Sequence, residues 1–298
     1  MDLTDLLTPW CVHTVATLKI AERIDGVAEV GDLAAAAECD REALHDVLSH
    51  LVSKGVFEEP APGRFALNDA ARELFAASGF LSLDGIGGRM AYAWSTLPTY
   101  VKTGRPGYAD VFGLPFWEDL AAHPDVAASF DDLIGPGGHG TPDARFELRD
   151  GWERIGTVAD VGGGTGAMLR ELLRLRPQLK GVLVDLPGTV ARADGLDVSG
   201  QSFFDPLPPA DLYIVRHVLN DWPLADQVRI LRNCRPHVAV IGGVRPDDAP
   251  RMLTIETVLL GGRTSGLSQF RELAREAGLE VIAAGEQPAG FVVECVEN

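Results

Sequence analysis

Short apolar runs alternate with amphipathic stretches along the C-terminal half of the chain, after Trp152. The apolar runs predict strands, and the amphipathic stretches, with apolar residues about three or four positions apart, predict helices between them. This alternation is typical of an α/β unit built on a mainly parallel sheet. The turn-rich stretch 285–290 separates the last two runs and predicts an antiparallel terminal hairpin. The predicted strands span residues 156–161, 181–185, 211–215, 237–242, 279–284 and 290–295.

The N-terminal half is predicted to be mainly helical. Residues 40–54 predict a helix with Asp40 as N-cap and Gly55 just past its end. A shorter helical pattern precedes it and two short strand patterns follow, which together predict a winged-helix unit. The opening helix is predicted from apolar residues at helical spacing, namely Leu3, Leu7, Cys11, Val15 and Leu18, widened by Leu6 and Trp10.

A winged helix raises the possibility of DNA binding, and the charge balance argues against it. The whole chain carries 26 basic and 43 acidic residues, a net charge of −17. The only basic residues between positions 30 and 60 are Arg41 and Lys54, among a larger number of acids. Binding to nucleic acid depends largely on neutralising phosphates, so a helix with this balance would be repelled. We therefore expect a packing or dimerisation domain and no nucleic-acid partner.

Length and composition describe an ordinary globular protein. With 298 residues, 46% hydrophobic and 23% charged, the chain can form two domains with their own cores. It has no apolar run long enough to span a bilayer and no signal-peptide pattern at its start, so no membrane partner is expected. Its four cysteines are scattered, without metal-binding spacing, and suggest reduced thiols in a cytoplasmic protein.

The most informative stretch runs from Thr157 to Met168. An apolar strand pattern enters a glycine-rich turn, and a helix pattern leaves it, as at the start of a nucleotide-binding α/β unit. Gly162 and Gly164 allow a ligand to approach the backbone closely. Asp160 precedes the glycines inside a buried strand, where a carboxylate needs a partner. Asp185 ends the next strand, at the spacing from which a carboxylate reaches ribose hydroxyls.

Two cofactors compete for this loop. Residues 162–167 also fit the G-x-G-x-x-A form of the dinucleotide fingerprint. Asp160, however, would repel a pyrophosphate and attract the ammonium group of S-adenosylmethionine. The pattern D-x-G-x-G-x-G with Asp185 downstream resembles the first two motifs of class I methyltransferases, so S-adenosylmethionine or S-adenosylhomocysteine is the predicted ligand.

The chain as a whole resembles small-molecule O-methyltransferases of the plant caffeic-acid type and of bacterial polyketide tailoring. The resemblance rests on Asp160–Gly166, Phe203–Pro208, Asp211–Trp222 and Arg229–Cys234, in that order. It implies a Rossmann-like domain behind a winged-helix dimerisation domain, a homodimer, and an aromatic or polyketide-like acceptor. The implied domains are residues 1–100 for dimerisation, 101–152 for a helical linker and substrate-pocket region, and 153–298 for cofactor binding.

The resemblance also implies roles for single residues. Gly162, Gly164 and Asp185 would contact the cofactor, as would Asp160. Further cofactor contacts would come from Phe203 beside the adenine, Arg216 near the methionine end and Trp222 as a cover, with Ser202 where the family often has an acid. A serine hydroxyl still accepts a hydrogen bond but loses the charge-assisted contribution.

The position of the family's general base holds Asn220, directly before the Asp-Trp pair. An amide cannot take a proton from a phenol near neutral pH. The family's two orienting acids are also missing, at Gly242-Gly243 and in the stretch 262–265. The candidate replacements are His217, three residues earlier, and His139 in a glycine-rich joint. No metal ligands cluster near this position, so no magnesium site is expected.

Three interpretations follow from the missing base. The first is methyl transfer that relies on alignment of an acceptor that is already acidic. The second is a relative that keeps the cofactor for other chemistry, such as hydroxylation, decarboxylation or a pericyclic step. The third is a non-catalytic regulator or partner subunit.

Overall fold

The computed structural model describes residues 4–76, 78–134 and 142–298. The chain divides into two compact units. One comprises the residues up to Ser95 together with Leu120–Leu133, and the other comprises Thr96–Asp119 and Ile134–Asn298. No helix within the described ranges is long and apolar enough to cross a membrane.

The first unit contains the predicted winged helix. Three antiparallel strands form its sheet in the order β1-β3-β2. Asp40 caps its longest helix by accepting a hydrogen bond from the backbone N–H of Ala43, as predicted, and Gly55 follows the helix with φ +76°. The elements are α1 (Thr8–Thr17), β1 (Val27–Glu29), α2 (Val30–Ala36), α3 (Arg41–Ser53), β2 (Phe57–Ala61) and β3 (Arg64–Leu67).

The opening helix begins later than its apolar stripe predicts. It starts at Thr8, and Leu6 and Leu7 are 80% and 56% exposed. Pro9 lies in the first turn, and the carboxylate of Asp5 accepts hydrogen bonds from the backbone N–H and the hydroxyl of Thr8, the first residue of the helix. The prediction that Leu6 and Leu7 belong to the opening helix was therefore wrong, while Val15 lies within it and is fully buried. Leu3 lies outside the described residues.

Short helices follow the winged helix, interrupted at Pro106, Pro115 and Pro124 as predicted. They are α4 (Asp69–Phe75), α5 (Ser78–Leu81), α6 (Ile86–Ala93), α7 (Leu97–Thr103), α8 (Tyr108–Phe112), α9 (Phe116–Ala122) and α10 (Pro124–Ile134).

The second unit contains a seven-stranded sheet in the order β11-β12-β8-β7-β4-β5-β6. The five strands from β8 to β6 are parallel, and the terminal hairpin β11-β12 runs antiparallel beside β8, as predicted. The seven strands are β4 (Thr157–Val161), β5 (Lys180–Asp185), β6 (Asp197–Gly200), β7 (Leu212–Arg216), β8 (His237–Ile241), β11 (Leu279–Gln287) and β12 (Gly290–Glu297).

The remaining elements of this unit are helices and one small sheet. The helices are α11 (Ala167–Leu175), α12 (Pro187–Val190), α13 (Leu224–Asn233), α14 (Ile255–Leu259) and α15 (Leu267–Glu276), and the parallel pair is β9 (Val244–Arg245) with β10 (Ser265–Gly266).

Hydrophobic cores cover both faces of the large sheet. Phe270 of α15 and Leu231 of α13 pack on one face, and Leu172 of α11 packs on the other. The structure therefore confirms an α/β, Rossmann-like domain with a mainly helical N-terminal winged-helix domain. Strand β6 was not predicted, because its residues are few and mostly exposed and carry no apolar run.

Candidate active site

The glycine-rich loop lies at the carboxyl edge of the sheet, between β4 and α11. A Cβ on Gly162 would lie 2.6 Å from Cγ2 of Val218, and the residue has φ +68°, so only glycine fits there. A Cβ on Gly164 would meet no atom within 4 Å. The loop is therefore packed on one side and leaves open space at Gly164.

Asp185 ties the end of β5 to this loop. Its Oδ2 accepts a 2.8 Å hydrogen bond from the backbone N–H of Gly164, and its Oδ1 accepts one of 2.7 Å from Leu186. The residue is half-buried at the same edge of the sheet. Ionised carboxylate oxygens act only as acceptors, which suits the hydroxyls of a ribose.

Asp160 lies directly beneath the loop. A Cβ on Gly163 would overlap its Oδ2. The side chain is 1% exposed, and neither carboxylate oxygen has a hydrogen-bond partner among the described residues. Burial raises its pKa to about 7, a shift opposed by the positive charge of Arg216 and supported by the nearby Asp185. A buried carboxyl without a donor fits a cationic ligand, and this observation favours the ammonium group over a pyrophosphate.

Phe203 and Arg216 lie at the same edge as the loop. The Phe203 ring is 3.7 Å from the position of a Cβ on Gly162. Arg216 ends β7, and burial lowers the pKa of its guanidinium while Asp160 raises it. Ser202 is half-buried, and its hydroxyl accepts a 3.2 Å hydrogen bond from the backbone N–H of Phe204.

Trp222 joins an aromatic cluster beside these residues. Its ring meets those of Phe203 and Phe204 edge to face, at centroid distances of 5.7 and 4.8 Å. The ring of Trp117, on α9, is nearly parallel to it at 6.3 Å. The sequence did not predict that Trp117 lies at the site, because no local pattern around Trp117 indicates that its ring contacts Trp222.

Asn220 and Asp221 form a hydrogen-bonded pair in a short 3₁₀ turn. Nδ2 of Asn220 donates a 2.8 Å hydrogen bond to Oδ1 of Asp221. Oδ1 of Asn220 is buried and has no partner among the described residues. Burial and the negative charge of Glu256, on α14, raise the pKa of Asp221 to about 8. Glu256 was also missed by the sequence analysis, since its proximity to Asp221 depends on tertiary structure.

Two glycines approach Asn220, one from each of the segments 242–243 and 262–265. A Cβ on Gly243 would be 3.6 Å from Oδ1 of Asn220, and a Cβ on Gly262 would collide with its carbonyl oxygen. Each of these two segments therefore approaches Asn220 through a glycine.

His217 follows β7 with φ +52°, an uncommon value for a residue with a side chain. Its ring lies against Gly242, where a Cβ would be 2.5 Å from both Cε1 and Nδ1. The other described histidine of this unit, His237, begins β8 at the opposite edge and contacts Glu294 at 2.8 Å. His139 lies outside the described residues. Among the described residues, no cluster of three or more His, Cys, Asp or Glu side chains could hold a metal ion.

Comparison with known proteins identifies the family. Residues 94–279, more than half of the chain, match the family model described as an O-methyltransferase domain. The chain is 35% identical to 2,7-dihydroxy-5-methyl-1-naphthoate 7-O-methyltransferase of Streptomyces carzinostaticus, over 97% of this chain and 94% of that protein. It is 32% identical to aclacinomycin 10-hydroxylase of Streptomyces purpurascens, over 97% of this chain and 85% of that protein.

A solved structure agrees with these relatives. An O-methyltransferase from neocarzinostatin biosynthesis, crystallised with S-adenosylmethionine and 2-hydroxy-5-methyl naphthoic acid, has a TM-score of 0.86 at 32% identity. The likeness covers 100% of this chain and 98% of that one. The chain therefore belongs to the S-adenosylmethionine-dependent O-methyltransferase family.

Proposed function

We propose that this protein transfers a methyl group from S-adenosylmethionine to a hydroxyl of an aromatic or polyketide-like small molecule. The observation that carries the proposal is the buried carboxyl of Asp160, which lies without a hydrogen-bond donor beneath a glycine loop tied to Asp185. The relatives named above support the acceptor class, since one is a naphthoate methyltransferase and another was crystallised with a naphthoic acid.

The cofactor is proposed to lie along the carboxyl edge of the sheet. Asp160 would attract its ammonium group, and Arg216 would bind the carboxylate at the same end. Asp185 would accept hydrogen bonds from the ribose, in the open space at Gly164. The adenine would be flanked by Phe203 and Trp222, with Ser202 as hydrogen-bond acceptor and Gly162 allowing close approach. When bound, S-adenosylmethionine supplies a methyl group on a positively charged sulfur.

Asn220 is proposed to hold the acceptor in place. Its buried Oδ1 can accept a hydrogen bond from a donor group of the acceptor other than the reacting hydroxyl, and an amide cannot remove that hydroxyl's proton. Proximity and orientation can remove roughly 7–11 kcal/mol of an activation barrier in well-oriented reactions. Holding the acceptor in line with the methyl group would supply part of this reduction. His217 stays a second candidate at the same edge of the sheet, and His139 stays a prediction.

A second candidate function is non-methylating chemistry with the same cofactor. Two observations favour it: Asn220 in place of the base, and 32% identity to a protein named as a hydroxylase. A purely regulatory role is the remaining alternative, and the intact glycine loop with Asp160 and Asp185 favours the two enzymatic functions over it.

The assembly and the location are also proposals. A homodimer is supported by exposed apolar side chains on the first unit, with Leu7 and Trp10 56% and 44% exposed. We assign dimerisation to residues 1–100, a helical linker and substrate pocket to 101–152, and cofactor binding to 153–298. A cytoplasmic location is supported by the four free cysteines.

The test is an assay of purified protein with S-adenosylmethionine and two acceptors, 1,4-dihydroxy-2-naphthoic acid and 2-hydroxy-5-methyl naphthoic acid. We expect mass spectrometry to detect a product with one added methyl group and stoichiometric S-adenosylhomocysteine. A product with one added oxygen would favour the second candidate. Binding of the cofactor without any product from either acceptor would contradict methyl transfer to this class.

A further inference from the structure

The carboxyl of Asp221 is a titratable group to which the proposed function gives no task. Its Oδ1 accepts the 2.8 Å hydrogen bond from Nδ2 of Asn220, which fixes the orientation of the amide. Oδ1 of the amide is left as a buried acceptor without a partner among the described residues. Asp221 as a whole residue is half-buried. The two side chains therefore present acceptor oxygens at the position where the family has its base.

The surroundings of Asp221 favour a carboxyl that binds and releases a proton near neutral pH. Burial is the larger cause of its raised pKa, about 8, and the charge of Glu256 on α14 is the smaller. The loop packed against it contributes Gly262, and Arg263 in that loop donates its Nε–H to the hydroxyl of Tyr100 at 2.9 Å. An ordinary aspartate, of pKa about 3.9, is a weak base toward a phenol of pKa about 10, whereas a base with pKa near the working pH is efficient.

Close packing fixes this turn. A Cβ on Gly262 would lie 2.6 Å from the carbonyl carbon of Asp221 and would collide with the carbonyl oxygen of Asn220. Gly243 approaches the same turn, and a Cβ on Gly243 would lie 3.3 Å from the backbone nitrogen of Asn220. The backbone of Asn220 and Asp221 thus packs closely against Gly243 and Gly262, which restricts the positions of the two side chains.

We propose that Asp221 accepts the acceptor's proton in place of the missing histidine, with Asn220 as the positioning residue. The inference rests on the proposed methyl transfer. The hydroxyl oxygen forms the new bond to the methyl carbon, the electron pair of the broken carbon–sulfur bond returns to sulfur, and the hydroxyl proton passes to the Asp221 carboxylate. Release of that proton to water restores the ionised form.

The experiment measures kcat/KM for the acceptor against pH, with whichever of the two naphthoic acids the wild-type protein methylates and with S-adenosylmethionine saturating at every pH, so that the titration of Asp160 does not contribute. We expect the wild-type value to rise with pH up to about 8 and then to level off. Asp221→Asn should lose about 10²–10⁴-fold in kcat/KM and lose this rise. Glu256→Gln should move the rise to lower pH, because it removes a neighbouring negative charge. Glu272→Gln, an exposed carboxylate on α15, is the matched control and should leave the profile unchanged.

The outcomes separate the two proposals. A wild-type protein that methylates neither acid overturns the proposed function, and the proton transfer assigned to Asp221 is overturned with it. An active wild-type protein whose pH profile persists in Asp221→Asn overturns the role of Asp221 alone. Calorimetric titration with S-adenosylmethionine checks that this variant is folded. If Asp221→Asn is not folded, the Glu256→Gln variant decides: an unshifted pH profile overturns the proposal, and a profile shifted to lower pH supports it.

Discussion

The carboxyl of Asp160 lies directly against Gly163, so that a Cβ on this glycine would overlap Oδ2 of Asp160 and lie 2.6 Å from Cδ1 of Leu183. Strand β4 and the glycine loop therefore pack against each other at this contact, which leaves no space for a side chain on Gly163. The contact connects the packing of β4 and β5 to the site that is proposed to receive the cofactor's positive charge.

The contact predicts that Gly163→Ala weakens cofactor binding. The added methyl group must displace either the buried carboxyl or Leu183, and we expect at least a tenfold loss of affinity for S-adenosylmethionine, about 1.4 kcal/mol. Gly285→Ala is the matched control, since a Cβ there meets no atom within 4 Å. Calorimetric titration of both variants checks this, and equal affinities would show that the loop tolerates the displacement.

Asp185→Ala should weaken binding of S-adenosylmethionine by about tenfold or more, roughly 1.4 kcal/mol. The substitution removes the proposed ribose contact and also the acceptors for the backbone N–H groups of Gly164 and Leu186. Asp197→Ala removes an exposed carboxylate from the neighbouring strand and serves as control. An unchanged dissociation constant for Asp185→Ala would contradict the assignment of Asp185 to the cofactor site.

Affinity for S-adenosylmethionine should increase with pH around 7. The pKa of Asp160 is about 7, so its carboxyl becomes negative as pH rises through that value and then attracts the positively charged ligand more strongly. Asp160→Asn should bind more weakly and with little dependence on pH. Titrations at pH 6 and pH 8 measure this, and a wild-type affinity that is equal at the two pH values would contradict it.

The same carboxyl predicts an opposite trend in stability. Because its folded pKa is raised above the ordinary value of 3.8, the unfolded chain ionises first. The contribution of protonated Asp160 to the free energy of unfolding is fully present below pH 3.8. It is lost as the pH rises through 7, which lowers the free energy of unfolding by about 4 kcal/mol. Denaturant unfolding should therefore show Asp160→Asn gaining stability relative to wild type over this range. A constant difference between the two proteins would refute the burial of this charge.

Asn220→His should raise kcat/KM for a phenolic acceptor most at pH 6.5, where Asp221 is largely protonated and an imidazole can act as base. Asn220→Gln keeps an amide and is the control. No gain from the histidine would show that the missing base is not the only difference at this site, as the predicted lack of orienting acids at 242–243 and 262–265 would imply.

Dimerisation predicts that light scattering gives twice the chain mass of 31.9 kDa. The rings of Trp10 and Tyr92 are 5.6 Å apart, and both are more than 40% exposed. Trp10→Glu should convert the dimer to a folded monomer, because it places a charge within this apolar pair. A wild-type monomer would remove the dimer from the account.

Local patterns predicted where the first strand of the large sheet, the glycine loop and Asp185 lie in the fold. The strand, the glycine loop and Asp185 follow one another within about 30 residues of sequence, so period and spacing were enough to place them at one edge of the sheet. The assignment of Asn220 to the position of the base came from the family resemblance, through Asp221 and Trp222, and stays a prediction.

The contacts between distant segments could not be predicted in this way. Trp117 reaches Trp222, and Glu256 influences Asp221, only through the packing of α9 and α14 on the second unit. Helix α1 begins only at Thr8, where Asp5 accepts the backbone hydrogen bond and Pro9 lies in the first turn, although the apolar stripe continues before it.

The central claim is that this chain holds S-adenosylmethionine between Asp160 and Asp185, and calorimetric titration of the wild-type protein tests it most directly. The account predicts one site per chain for S-adenosylmethionine and for S-adenosylhomocysteine, with both signals reduced in Asp185→Ala. Folded protein that binds neither ligand would contradict it and would leave a non-catalytic role as the better explanation.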